Sequence, residues 1–120
     1  MSDHPEPTDD FKLLTGQAQG QLNLALQWLD KKNPEAASAF VVTVKKLLTL
    51  SSATDSEAWI NYYYVRAAVA ESRGHLKAAL GYCRKSLAAA RRVHPENHHA
   101  VLIAKANVGE SLAKVEKETK

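Results

Sequence analysis

Apolar residues recur at three- and four-residue steps along most of the chain. Phe11, Leu14, Ala18, Leu22, Ala25 and Leu29 share one stripe and predict a helix over residues 11–30, capped by Asp9 or Asp10. Lys31-Lys32-Asn33-Pro34 ends it, since proline suits only the first turn of the next helix. Ala37, Phe40, Val41, Val44 and Leu48 mark the second helix, and residues 51–55 read as a polar loop. The third helix spans 56–73, with Trp59, Tyr63, Ala67 and Ala70 in register and Gly74 at the left-handed cap position. Leu76, Leu80, Cys83, Leu87 and Ala90 define the fourth, which His94-Pro95-Glu96-Asn97 breaks. Val101, Ala104, Val108, Leu112 and Val115 define a fifth over 98–115, followed by a polar, fraying tail at 116–120. No stretch alternates with period two long enough for a strand. The pattern predicts an all-α chain of five antiparallel helices.

A shift of 42 residues superposes the chain on itself without a gap. Ala25, Ala67 and Gly109 coincide, as small residues do where helices approach closely. Ala37 falls on Ala79, Val41 on Cys83, and Trp59 on Val101. Lys32-Asn33 falls on Gly74-His75, and residues 52–55 fall on 94–97, so turns and loops match as well.

With these positions aligned, the chain resembles the tetratricopeptide repeat family, in the longer form found in kinesin light chains. Ala25, Ala67 and Gly109 match its small eighth position, Ala37 and Ala79 its twentieth, and Gly74 its turn glycine; Lys32 departs from that glycine. Residues 105–112 look like the family's helix-A motif, whereas its aromatic eleventh position is only Trp28, Ala70 and Leu112 here. The resemblance implies a right-handed α-solenoid of two helical hairpins plus a capping helix, over residues 18–115. It further implies a concave groove along the A helices, made by Leu22, Asn23, Leu26 and Leu29, then Asn61, Tyr64, Val65 and Ala68, then Asn107. Gln19, Glu71, Ile103, Ala106 and Glu110 fall on the same face. The family's carboxylate-clamping lysines are absent: Leu22, Tyr64 and Ala106 stand at one clamp position, and Leu26, Ala68 and Glu110 at the other. The groove so read is apolar with a few amides and suits a helical or extended apolar segment of a partner protein. The competing reading covers Leu22, Leu26 and Leu29 with the acidic tail or a second copy of the chain.

Composition narrows the function classes. Lys and Arg number 16 against 13 Asp and Glu, giving a net charge of +3. Residues 1–10 hold four of those acids, two prolines and no cation, and read as a disordered acidic tail ahead of a helical domain at 11–116, with 117–120 fraying. The fourth helix is basic: Lys77, Arg84 and Arg91 lie seven apart, with Lys85 and Arg92 beside them and no acid from 75 to 95. That face can track a polyanion or nucleic acid, although no aromatic residue is interleaved with it on this reading. His94, His98 and His99 cluster in sequence, but Pro95 keeps them off one helix face and no cysteine or carboxylate completes a zinc set, so no metal is expected. Cys83 sits on an apolar stripe as a small hydrophobe. Of the three consecutive tyrosines, Tyr63 is expected in the core and Tyr64 in the groove. No phosphate loop, catalytic carboxylate pair or nucleophile motif is present, so neither enzyme nor cofactor is expected. Without an apolar span or signal segment, the cytoplasm is the expected compartment. The sequence points to a protein-binding module: an adaptor, a scaffold subunit or a small chaperone.

Overall fold

A computed structural model describes residues 9–50 and 57–118, with side chains from residue 13 onward. Among them are five α-helices and no strand: α1 (Asp9–Asp30), α2 (Pro34–Leu50), α3 (Glu57–Ser72), α4 (Leu76–Val93) and α5 (His99–Glu118). The expected acidic tail falls partly outside the described residues, at 1–8, while Asp9 and Asp10 already belong to α1. α5 runs three residues past the last apolar position: Glu116, Lys117 and Glu118 remain helical, since Glu and Lys are good helix formers without any face to bury.

The turns explain the hairpins. In the first, Lys32 N–H donates to Leu29 O at 2.9 Å and Asn33 N–H to Trp28 O at 2.9 Å. In the second, Gly74 N–H donates to Glu71 O at 2.9 Å and His75 N–H to Ala70 O at 2.9 Å. Each donor and acceptor of one turn lies 42 positions from its counterpart in the other. Both turns carry a left-handed residue, Lys32 at φ 60° and Gly74 at φ 78°. Glycine takes that conformation freely, whereas a side chain there costs about 1–2 kcal/mol. Lys32 adopts, with a side chain, the same left-handed conformation as Gly74 in the second turn. After each turn the chain re-enters a helix, through Ala37 N–H to Asn33 O and Ala79 N–H to His75 O. Asn33 Oδ1 also caps α2, accepting Ala36 N–H at 3.1 Å.

Two apolar clusters share α3. The first joins Ala18, Leu22 and Ala25 of α1 and Ala37, Val41, Val44 and Leu48 of α2 to Ala58, Tyr62, Val65 and Val69. The second joins Ile60 to Ala89, Ala90, Val101 and Ala104. α1 packs against α2 and α3, α3 also against α2 and α4, and α4 against α5. α3 therefore buries residues on nearly every side, which a single stripe does not anticipate. Tyr62, 4% exposed, is the buried tyrosine of its triplet, while Tyr63 is half-buried between the two clusters. Trp59, Tyr62 and Tyr63 meet edge-on or tilted, with ring centroids 5.2–5.9 Å apart.

Candidate functional site

The helices at equivalent register do not stand at equivalent distances. α1 and α3 pack directly, and an amide relay crosses between them: Asn61 Nδ2 donates to Gln19 Oε1 at 2.9 Å, and Gln19 Nε2 to Asn23 Oδ1 at 3.1 Å. Among the described residues, no α3–α5 pair brings its Cα atoms within 8 Å. The equivalent of the Asn61–Gln19 bond would be Ile103 to Asn61, which an isoleucine cannot make. The result is a crevice with α3 and α5 as walls and α4 as floor.

The crevice has two adjoining cavities that share Tyr64 and Asn107. One, about 280 Å³, is lined by Ile60, Asn61, Ser86, Ile103 and Ala104, with Glu57 and His99 at its end. The other, about 230 Å³, lies over Cys83 and Ser111 and is rimmed by Glu71, Glu110 and Lys114. Together they reach the size range of a ligand-binding cleft. The floor is satisfied internally: buried Ser86 Oγ donates to Ile60 O at 3.0 Å. Burial pushes the Cys83 thiol above its ordinary pKa, and a hydrogen bond with Ser111 opposes that shift. A buried, protonated thiol is a poor nucleophile. A hydrogen bond between Glu57 and His94 spans one end of the crevice, and the Glu71–Lys114 ion pair the other.

Four of the expected groove residues reach this crevice: Asn61, Tyr64, Ala68 and Asn107. The others do not. Leu22 is 0% exposed and Val65 is 1% exposed, so both belong to the first core cluster. Leu26 and Leu29 are half-buried against that cluster, and Asn23 is exposed beside Gln19. Direct α1–α3 packing closes the half of the groove placed there. Gly109 also departs from expectation. It is exposed, and a Cβ there would meet nothing within 4 Å, so it marks no close helix approach, unlike buried Ala25 and Ala67.

The basic residues of α4 are all exposed, but not all are unengaged. Arg91 grips Glu96 with Nη2 at 3.0 Å and Nε at 3.2 Å, and Lys105 Nζ reaches the same carboxylate at 2.7 Å. These bonds, Arg91's first, hold the Glu96 carboxyl down at about 2. Lys85 lies over the Tyr63 ring at 6.0 Å and the Tyr82 ring at 5.6 Å. Aromatic rings therefore do neighbour the basic face, contrary to the expectation from α4's charge pattern. Lys77, Arg84 and Arg92 have no ion-pair partner among the described residues.

The three histidines form a stack. His94 and His98 lie 3.8 Å apart and nearly parallel, and His98 and His99 lie 4.2 Å apart. Among the described residues, no group of His, Cys, Asp and Glu is arranged to hold a metal ion. His98 caps α5 by accepting Ala100 N–H on Nδ1 at 3.0 Å, which requires that nitrogen to be unprotonated. Burial first, then the neighbouring His94 and His99 imidazoles, lower its pKa below the ordinary 6.5, against the opposing charge of Glu57. The fold thus favours neutral His98, while the unfolded chain takes up its proton at higher pH. Stability is complete above 6.5 and is lost as pH falls through the depressed folded value. The melting temperature should drop as pH falls below 6.5, and His98→Asn, which keeps a cap but cannot titrate, should flatten that slope. An equal slope in His98→Asn would remove His98 as its source.

No family model, curated protein or solved structure matches the chain. No described helix is long and apolar enough to cross a membrane.

Proposed function

We propose that the protein is a non-catalytic, TPR-like binding module whose α3–α5 crevice holds an extended segment of a partner protein. One observation carries this reading: α1 and α3 close on each other, whereas α3 and α5 stand apart over an apolar, amide-bearing slot. Asn61 and Asn107, one on each wall, bring side-chain amides to the slot, while Ile60, Tyr64 and Ile103 offer apolar contact. Tyr64, 46% exposed, supplies large contact area at small entropic cost. Glu57, Glu71 and Glu110 outnumber Lys114 on the rim and favour a segment with a flanking cation. The paired turns, 42 residues apart in sequence, support the repeat reading, and the single buried, unpaired Cys83 is consistent with a reducing, cytoplasmic setting.

The test is selection of displayed peptides on the wild-type protein, counter-screened on Tyr64→Ala. Enriched sequences should be apolar with a basic flank, and Tyr64→Ala should weaken them at least tenfold while the domain stays folded. Lys77→Glu with Arg84→Glu should leave them bound. Loss of binding in that double variant alone would replace this reading with the polyanion one, which the rings beside Lys85 favour. Enrichment that ignores Tyr64 would end it.

A further inference from the structure

On the opposite side of α3 from the crevice lies a small pocket of a different character. It measures about 150 Å³ and is built where α2, α3 and α4 meet at the second turn. Arg66 and Arg73, seven residues apart on one face of α3 and its end, line it together with His75, Ser38 and Tyr82. No carboxylate is among its lining residues. The ion pairs among the described residues lie elsewhere, between Glu71 and Lys114 and around Glu96, and leave both arginines out.

Arg66 is fixed in place. Its guanidinium donates to the Tyr82 hydroxyl, stacks over the Tyr82 ring at 4.8 Å and lies 6.0 Å from the Tyr62 ring. A guanidinium stays charged and keeps further N–H donors after one bond to a phenol. The α4 start adds to the field. His75 stands at its N-cap with no side-chain capping bond, and no acid occupies the first turn. α2, by contrast, has Asn33 as a capping side chain and Glu35 in its first turn. The start of α4 thus has neither a capping bond from His75 nor a first-turn acid, and His75 and Ala78 line the same pocket as the two arginines.

We infer that Arg66, Arg73 and His75, with the amide end of α4, form a binding site for a phosphate monoester. Two planar guanidinium forks suit the oxygens of a dianionic phosphoryl group, and the Ser38 and Tyr82 side chains line the same pocket. At about 150 Å³ the pocket is of a size to take a phosphoryl head. The group comes either from a small phosphate ester or from a phosphorylated side chain. The site is independent of the α3–α5 crevice and does not rest on the function proposed for it.

The experiment is a backbone-amide NMR titration of the intact chain with O-phosphoserine, with serine, and with sodium chloride at equal ionic strength. O-phosphoserine should give saturable shifts confined to the residues around 73–79, and the other two should not. Arg73→Gln, at an exposed position where folding is not at stake, should weaken that binding at least tenfold; Arg84→Gln on the outer face of α4 should leave it unchanged. A phosphoserine peptide that binds more tightly than O-phosphoserine identifies a phosphoprotein as the source, and equal affinity identifies a small ester; both support the site. Chloride shifts equal to those of O-phosphoserine, or equal losses in Arg73→Gln and Arg84→Gln, would show unspecific charge attraction and overturn it.

Discussion

Leu22→Ala is expected to destabilise the protein by about 3 kcal/mol. Leu22 is 0% exposed and ranks among the largest fully buried side chains. Truncating it removes the transfer free energy of the lost carbons and leaves a cavity between α1, α2 and α3 that rigid helices cannot collapse to fill. Against a total of about 5–15 kcal/mol for a small domain, that loss is large. Thermal unfolding followed by circular dichroism should show the midpoint fall by about 15 °C, at roughly 4–8 °C per kcal/mol. Tyr64→Ala, at the position 42 residues on, should move it far less, because Tyr64 is 46% exposed. Equal shifts in the two variants would mean that α1–α3 and α3–α5 are spaced alike, and the crevice would not exist.

That contrast shows what the sequence made legible and what it did not. Helix positions follow from the apolar period, and the turn equivalence follows from the 42-residue register, which places Lys32 on Gly74 before any backbone angle is known. Spacing between helices does not follow from register. Leu22 and Tyr64 share a repeat position, yet one closes a helix–helix contact and the other lines an opening. A signal was present in residue type: the first repeat puts Leu22, Leu26 and Leu29 on the supposed groove, whereas the second puts Tyr64, Ala68 and Glu71 there. Consecutive leucines mark a face that is covered. The Arg66 pocket had no such signal, because Ser38, Arg66, His75 and Tyr82 come from three helices and the turn between two of them. The Glu71–Lys114 bridge was nearer to reach, since its partners lie 43 residues apart, one step beyond the repeat.

Ala79→Leu should cost about 1–3 kcal/mol, and Ala37→Leu should cost about as much. Ala79 is 2% exposed in the first turns of α4, and Ala37 is 0% exposed at the same place in α2. In both hairpins the residue follows a left-handed turn and donates its N–H back across the helix start, at 3.0 Å to His75 O and 3.2 Å to Asn33 O. The backbone at these points is therefore pinned, and added carbons must push neighbouring helices apart or take poor rotamers. Helix propensity offsets none of this, since alanine is already the best helix former. Ala88→Leu, exposed on α4, is the control and should change stability by no more than about 0.5 kcal/mol. Urea unfolding of the three variants separates the outcomes: paired losses at 37 and 79 with a neutral change at 88 follow from two hairpins built to one plan. A loss at only one of the two alanines would mean that the matched turns lead into differently packed helices, and the repeat would be one of local backbone geometry alone.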